Sequence, residues 1–180
     1  MFRKPTIVLF IQILVAGVAF GQQSIKQQPQ QALYANAVYL MEAKNFASAR
    51  TYFDKYLKSD DALYKVEAKY YDAICGLKLY HLDGEKLIND FIDEYPASPL
   101  SSMAYVEMGQ YFFQDRKYKQ AVIYLSKVDQ KSISKEKKSS IQYDLGYSYF
   151  ASKKFDKALI EFNKVKKSTS KFKADRKSVV

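Results

Sequence analysis

The sequence predicts an all-α fold, an array of about four antiparallel helix pairs, and three observations carry that expectation. Apolar residues recur at helical spacing through most of the chain. Only 6 Gly and 4 Pro occur in 180 residues, too little turn chemistry for an all-β fold. A residue pattern also recurs at an offset of 37 positions, and internal periods of about 20–50 residues mark stacked repeat architectures.

The N-terminus is set apart before the fold is read. Arg3 and Lys4 form a short positive region, and Ile7 to Phe20 is an apolar run broken by Gln12. Ala19-Phe20-Gly21 then places small residues three and one before a cut at Gln22. This is the layout of a secretory signal peptide over 1–21, with export and cleavage expected. A membrane anchor would need about 20 apolar residues, whereas polar Gln22-Gln23-Ser24 follows this shorter run at once. No transmembrane span is expected after cleavage, and no Cys sits at the cut to carry a lipid. Residues 22–30 read as a polar linker.

The helices are expected at 31–44, 46–58, 62–80, 84–94, 99–115, 118–129, 134–152 and 155–167, giving units of about 31–58, 62–95, 99–129 and 134–167. Asp61 and Asp83 have the residue type of N-caps. Ser98 precedes Pro99 in the arrangement favoured at a helix start, and Pro96 ends the preceding helix. The stretch Lys135-Glu136-Lys137-Lys138 reads as a solvated first turn.

The repeat is clearest in the last two units. Gly109, Phe112, Tyr118, Ala121, Leu125 and Val128 correspond to Gly146, Tyr149, Phe155, Ala158, Phe162 and Val165. An earlier copy has Ala37, Leu40, Phe46, Ala49 and Phe53 in the same places. The copy from Leu63 to Tyr95 is weaker. Ala68, Tyr71, Ile74, Cys75 and Leu79 trace one apolar face, while its alanine position falls near Gly84-Glu85 without a clean match. Glycine inside a helix costs about 1 kcal/mol relative to alanine. Gly109 and Gly146 therefore imply close helix approach, with Ala121 and Ala158 as the small residues expected opposite.

Charge and titratable residues narrow the chemistry. The formal net charge is +10, and removing Arg3 and Lys4 leaves 27 basic against 19 acidic residues. The excess gathers at Lys164, Lys166, Lys167, Lys171, Lys173, Arg176 and Lys177, so the folded part is nearer neutral. Export and this uneven spread argue against a nucleic-acid partner. Cys75 is the single cysteine and cannot form an intramolecular disulfide, and His81 is the single histidine. Cys75 reads as a small core residue. No phosphate loop, G-x-S-x-G, H-E-x-x-H or His/Cys cluster occurs, so neither enzyme activity, cofactor nor metal is expected.

These residues resemble the tetratricopeptide repeat (TPR), a helix–turn–helix unit of about 34 residues with the pattern W-x₂-L-G-x₂-Y…A-x₃-F…P. Tyr105-x₂-Met108-Gly109-x₂-Phe112 with Ala121 and Leu125 matches by conservative swaps. Leu145-Gly146-x₂-Tyr149 with Ala158 and Phe162 matches more closely, with Gln142 in the Trp place. Glu94-Tyr95-Pro96-Ala97-Ser98-Pro99 resembles the loop that closes many such repeats. The likeness covers Gln31 to Lys167. It extends to exported bacterial TPR proteins of the cell envelope, including the Tol-Pal coordinator and the N-terminal part of long multi-repeat proteins of Bacteroidetes type. The outer-membrane-assembly lipoprotein is a poorer match for want of a lipid-bearing Cys.

The resemblance implies a right-handed superhelix whose first helices line a concave groove for a protein or peptide partner. The groove positions it implies are Tyr34, Val38 and Met41, then Val106, Gln110 and Phe113, then Tyr143, Tyr147 and Phe150. For the last three, packing against a following repeat or a C-terminal helix is the competing expectation, strongest for Phe150. The expected role is a non-catalytic interaction scaffold in the periplasm or at the outer membrane. The alternative is an N-terminal interaction module of a longer envelope protein or enzyme. The segment 168–180 reads as a disordered basic tail. Its last six residues, Asp175 to Val180, match one translated frame of a common sequencing adapter, so the natural chain is expected to continue past about Ala174. A genuine basic tail is the other reading.

Overall fold

The computed structural model of the protein describes residues 29–59 and 63–177. The signal-peptide reading of 1–21, the linker up to 28, the Asp61 cap and residues 178–180 lie outside the described residues. Eight helices occur among the described residues, with no strand. In chain order they are α1 (Pro29–Glu42), α2 (Phe46–Leu57), α3 (Lys65–Lys78), α4 (Gly84–Glu94), α5 (Pro99–Gln114), α6 (Tyr118–Leu125), α7 (Lys135–Ala151) and α8 (Phe155–Lys177). They form four pairs, called the first to fourth units below. Among the described residues no helix is long and apolar enough to cross a membrane.

The turn inside each unit reveals a repeat that the residue types had obscured. Lys44, Tyr80, Arg116 and Lys153 have φ of 60°, 55°, 58° and 61° and follow one another by 36, 36 and 37 residues. Each begins the same pair of hydrogen bonds. The Lys44 amide donates to Met41 and that of Asn45 to Leu40, and the pattern recurs at Tyr80–His81, Arg116–Lys117 and Lys153–Lys154. This is the Schellman helix ending, which normally favours Gly at the left-handed position. Here a non-Gly residue holds it four times.

Measured from these turns, the small residues fall into register. Ala37, Ala73, Gly109 and Gly146 each lie seven positions before the left-handed residue and are buried. Ala49, Ala121 and Ala158 lie five after it, also buried. In the second unit Gly84 takes that place four after Tyr80, and α4 starts at Gly84 itself. A methyl on Gly84 would come within 2.8 Å of the Gly76 carbonyl carbon, so α3 and α4 meet backbone to backbone. The atoms nearest Gly109 and Gly146 belong to Leu125 and Phe162, one turn past the alanines expected there. Close approach is present, but large side chains fill it.

Helix ends follow local chemistry. Ser98 Oγ accepts from the Leu100 amide at 3.2 Å, with Pro99 opening α5. Asn45 and Ser134 cap α2 and α7 in the same way. Asp83 occupies the N-cap position of α4 without making the cap bond, because its carboxylate is turned to Arg50. α6 stops at Leu125, short of the expected 129, as buried Val128 and Ile133 draw the connection into the core. α8 runs ten residues past its expected end at 167. No Gly or Pro lies between 155 and 177 to stop it, and its Lys, Ala and Arg residues favour helix.

Helix neighbours define two rows. Each second helix packs on its own first helix and on the first helix of the next unit. Successive first helices α1, α3, α5 and α7 also touch, whereas the backbones of the second helices stay apart. Tyr124 of α6 reaches across that gap to donate to Asn89 of α4 at 3.1 Å. One core of Ala37, Ala49, Phe53, Tyr56, Ala68 and Cys75 serves the first joint, and a larger one runs from Tyr70 to Leu145. Tyr71 packs against both. Since no pair buries its apolar face alone, stability comes from neighbour stacking.

Candidate binding surfaces

The positions ten, six and three before each left-handed residue share one helix face in every unit. They are Tyr34, Val38, Met41; Tyr70, Ile74, Leu77; Val106, Gln110, Phe113; and Tyr143, Tyr147, Phe150. In the second unit they are 6%, 7% and 2% exposed. Val106 is 3% exposed and offers no surface. Tyr34 stacks on Tyr64 with ring centres 4.6 Å apart and leans on Phe53 and Tyr56. Burial, with Tyr71 and Glu67 nearby, pushes its phenol up to about 12. Val38 and Met41 pack on the first core. Gln110 donates to Asp144 of α7 at 3.3 Å, and burial raises that carboxyl above its ordinary range. Phe113 meets Tyr147 edge to face at 5.7 Å. The first three units therefore use this face to receive the next unit.

The fourth unit leaves the same face open. Tyr143, Tyr147 and Phe150 are 50%, 38% and 53% exposed. A ladder of rings continues from Phe113 through Tyr147 and Phe150 to Phe155 of α8. Leu159, one turn beyond Phe155, is also exposed. Its counterparts Arg50 and Val122 reach toward the following unit or pack on the core. Phe155 and Leu159 were absent from the groove positions read in the sequence. Their helical spacing was visible, but nothing local distinguishes them from the half-buried Tyr118 and Val122 at the same repeat positions.

A second constellation lies at the first joint and had no sequence signal, since Arg50 is 22 to 33 residues from its partners. Arg50 of α2 donates through Nε to Asp72 of α3 at 3.3 Å and through Nη1 to Asp83 at 3.1 Å. Its Nη2 pairs with the other Asp83 oxygen. Nη1 also lies 2.6 Å from His81 Nδ1, an arrangement in which the ring nitrogen accepts. Arg50 fits here because Gly76 stands where other units carry Leu40, Phe112 or Tyr149. A methyl on Gly76 would approach the guanidinium to 3.3 Å. Beside it is an open hollow of about 400 Å³ lined by Ala47, Arg50, Thr51, Asp54, Asp72 and His81.

The electrostatics of this cluster are those of a clasp. The Arg50 hydrogen bond holds Asp83 below the usual carboxylate range. Burial raises Asp72 despite the same arginine. With its guanidinium engaged on both edges, Arg50 has little left to offer an anion. Cys75 is fully buried nearby in sequence, and burial pushes its thiol up to about 12, away from nucleophilic reactivity at neutral pH. Among the described residues no group of three or more His, Cys, Asp or Glu is placed to hold a metal ion. No protein-family model and no curated protein matches the chain.

Proposed function

We propose that this chain is an exported, non-catalytic binding scaffold of the TPR type, acting in the bacterial periplasm or at the outer membrane. The observation that carries the reading is the open aromatic face of Tyr143, Tyr147 and Phe150, in register with residues the second unit buries almost completely. Contiguous exposed apolar surface on a folded chain marks an interaction site. The TPR assignment rests on the Gly–aromatic–Ala pattern, four equivalent turns and a 36–37-residue period, slightly longer than the family's 34. Export rests on the 1–21 segment alone. The test is selection of a displayed peptide library on the full chain. Retained peptides should lose binding in Tyr143→Ala/Tyr147→Ala while far-ultraviolet circular dichroism is unchanged. If no peptide is retained on any surface, the scaffold reading fails; if helicity collapses, these tyrosines are core.

A second reading, the N-terminal module of a longer envelope protein, draws on the same register, because a following unit covers that face elsewhere. Immunodetection of the native gene product decides it. A mass well above 20.8 kDa supports the longer protein.

A further inference from the structure

We infer that the outer side of α6 and α8 docks on an anionic phospholipid bilayer, with Ile123 and Ile160 entering below the phosphate layer and the lysines around them meeting it. This surface is distinct from the aromatic face of the fourth unit, and the inference does not rest on the scaffold reading.

The first support is register. Ile123 and Ile160 lie seven positions after the left-handed residues Arg116 and Lys153. Each is two residues past a buried alanine, about 200° around the helix, and so turned away from its own first helix. They are 53% and 55% exposed. Ile123 keeps that exposure although the fourth unit follows it, so stacking another unit does not cover this position. The same place is held by exposed Thr51 in the first unit and, counted from Gly84, by exposed Lys86 in the second. Open isoleucine is therefore a property of the third and fourth units and not of the repeat.

The second support is charge. Over 29–115 the sequence holds eight basic residues against thirteen acidic ones, and over 116–167 it holds fourteen against five. The excess reaches the isoleucines. Lys119 and Lys127 stand one turn to either side of Ile123, and Lys157 and Lys164 one turn to either side of Ile160, all four exposed. No acid lies between Lys117 and Lys127, and in α8 up to Lys167 only Asp156 and Glu161 stand against four lysines. Lys164 pairs with Glu161 at 2.7 Å, while Lys127 and Lys157 lie 5.7 Å over the rings of Tyr105 and Tyr149. A ring face holds an ammonium group without neutralising it. On the equivalent surface of the second unit, Lys86 is accompanied by Asp90 and Asp93.

The third support is the combination. A soluble polyanion would engage the lysines and leave the isoleucines idle. A bilayer offers phosphate to the first and hydrocarbon beneath it to the second. Long lysine stems keep the ammonium at the phosphate level while an apolar neighbour enters, and each lysine near an anionic surface adds to the attraction.

The experiment uses the full chain with a polarity-sensitive fluorophore on Ile160→Cys, Ile123→Cys or, for comparison, Thr51→Cys; Cys75 is fully buried and stays unlabelled. The local probe separates this surface from the apolar N-terminal run. Vesicles are phosphatidylcholine with or without phosphatidylglycerol. Emission at positions 160 and 123 should shift to the blue on phosphatidylglycerol vesicles, and at position 51 it should not. Lys119→Gln/Lys127→Gln/Lys157→Gln/Lys164→Gln should weaken this binding by about tenfold or more, as should about 0.5 M salt. If the fourfold variant loses helicity, Lys119→Gln/Lys164→Gln leaves both lysine–ring contacts in place and should weaken binding by about threefold or more. No shift at 160 and 123, an equal shift on phosphatidylcholine alone, or an equal shift at 51 overturns the proposal. So does binding of polyglutamate or an oligonucleotide that the lysine variants lose and Ile123→Ser/Ile160→Ser keeps, which makes the ligand a soluble polyanion. Low-salt self-association lost in the lysine variants makes the occupant a second copy, met through its acidic half, and overturns it too. Peptide capture at Tyr143 and Tyr147 is read separately, so either reading can fail alone.

Discussion

The second and fourth units present the same helix face to opposite fates. Tyr70, Ile74 and Leu77 are buried beneath α5, whereas Tyr143, Tyr147 and Phe150 stand between one-third and just over one-half exposed. The residues are comparable in size and apolarity, and both sets sit on long first helices closed by the same left-handed turn. What differs is the neighbour. In a stacked array a residue's burial is a property of the joint and not of its own helix, so apolar character alone does not tell core from binding surface.

Truncating the two faces tests that contrast with the largest expected effect. Leu77→Ala should cost about 2–5 kcal/mol, because it opens a cavity in a fully packed joint. Phe150→Ala should stay within about 0.5 kcal/mol, as for a surface change. Urea unfolding of both variants is the measurement. Comparable losses would mean that the fourth unit's face is packed in solution.

Glycine replacement comes next. In Gly84→Ala the added methyl meets the Gly76 backbone at 2.8 Å, which no side chain can relieve. A loss of about 1–3 kcal/mol is expected. In Gly146→Ala it meets the Phe162 ring at 2.9 Å. That ring is only half-buried and can turn away, and alanine's helix preference of about 1 kcal/mol offsets the strain. Thermal melts should separate the two, with Gly146→Ala near neutral.

The first joint alone carries the Arg50 clasp among the described residues, and pH distinguishes it. Arg50→Ala should destabilise by about 1–3 kcal/mol at neutral pH by leaving half-buried Asp72 unpaired. Asp83, held low by its Arg50 hydrogen bond, contributes stability present above the unfolded carboxylate value and lost as pH falls through the folded one. Glu94, held low first by Lys69, behaves alike. Asp72, raised by burial, acts in the opposite sense and favours the fold more as it protonates. The gap between wild type and Arg50→Ala should therefore shrink below about pH 4. Denaturation series at neutral and acid pH check this, and a gap independent of pH would remove the clasp.

The smallest effect concerns the turns. Left-handed backbone costs a non-Gly residue about 1–2 kcal/mol, so Lys153→Gly should stabilise by about 1 kcal/mol or less. Tyr80→Gly should gain less or lose, because the Tyr80 ring packs on Tyr111 at 5.6 Å. Paired melting curves would show it, and equal gains would mean that the Tyr80–Tyr111 contact contributes nothing.

Much of the fold was legible because it depends on local spacing. The helices appear at the expected places within about four residues, apart from the end of α8 ten residues further on, since apolar periodicity and the Ser98-Pro99 start act within one or two turns. The equivalence of the second unit was harder to see. Its alanine position is Gly84, displaced by one residue, and its bulky position is Gly76, which makes room for Arg50. Neither substitution resembles the pattern until the turn at Tyr80 sets the register. The Arg50–Asp72–His81–Asp83 clasp was invisible, because four polar residues on three segments have no meaning until α2, α3 and the loop meet.

The sequence by itself determined that the chain forms paired helices, which faces are apolar and where small residues permit close approach. These follow from a 3.6-residue period and from side-chain volume. Tertiary structure alone decided that Tyr70 is core while Tyr143 is surface, that Asp83 serves Arg50 and not its own helix, and that four non-Gly residues share one left-handed turn. Each of those outcomes is set by the element packed alongside, and a packed neighbour is information that no local stretch of sequence contains.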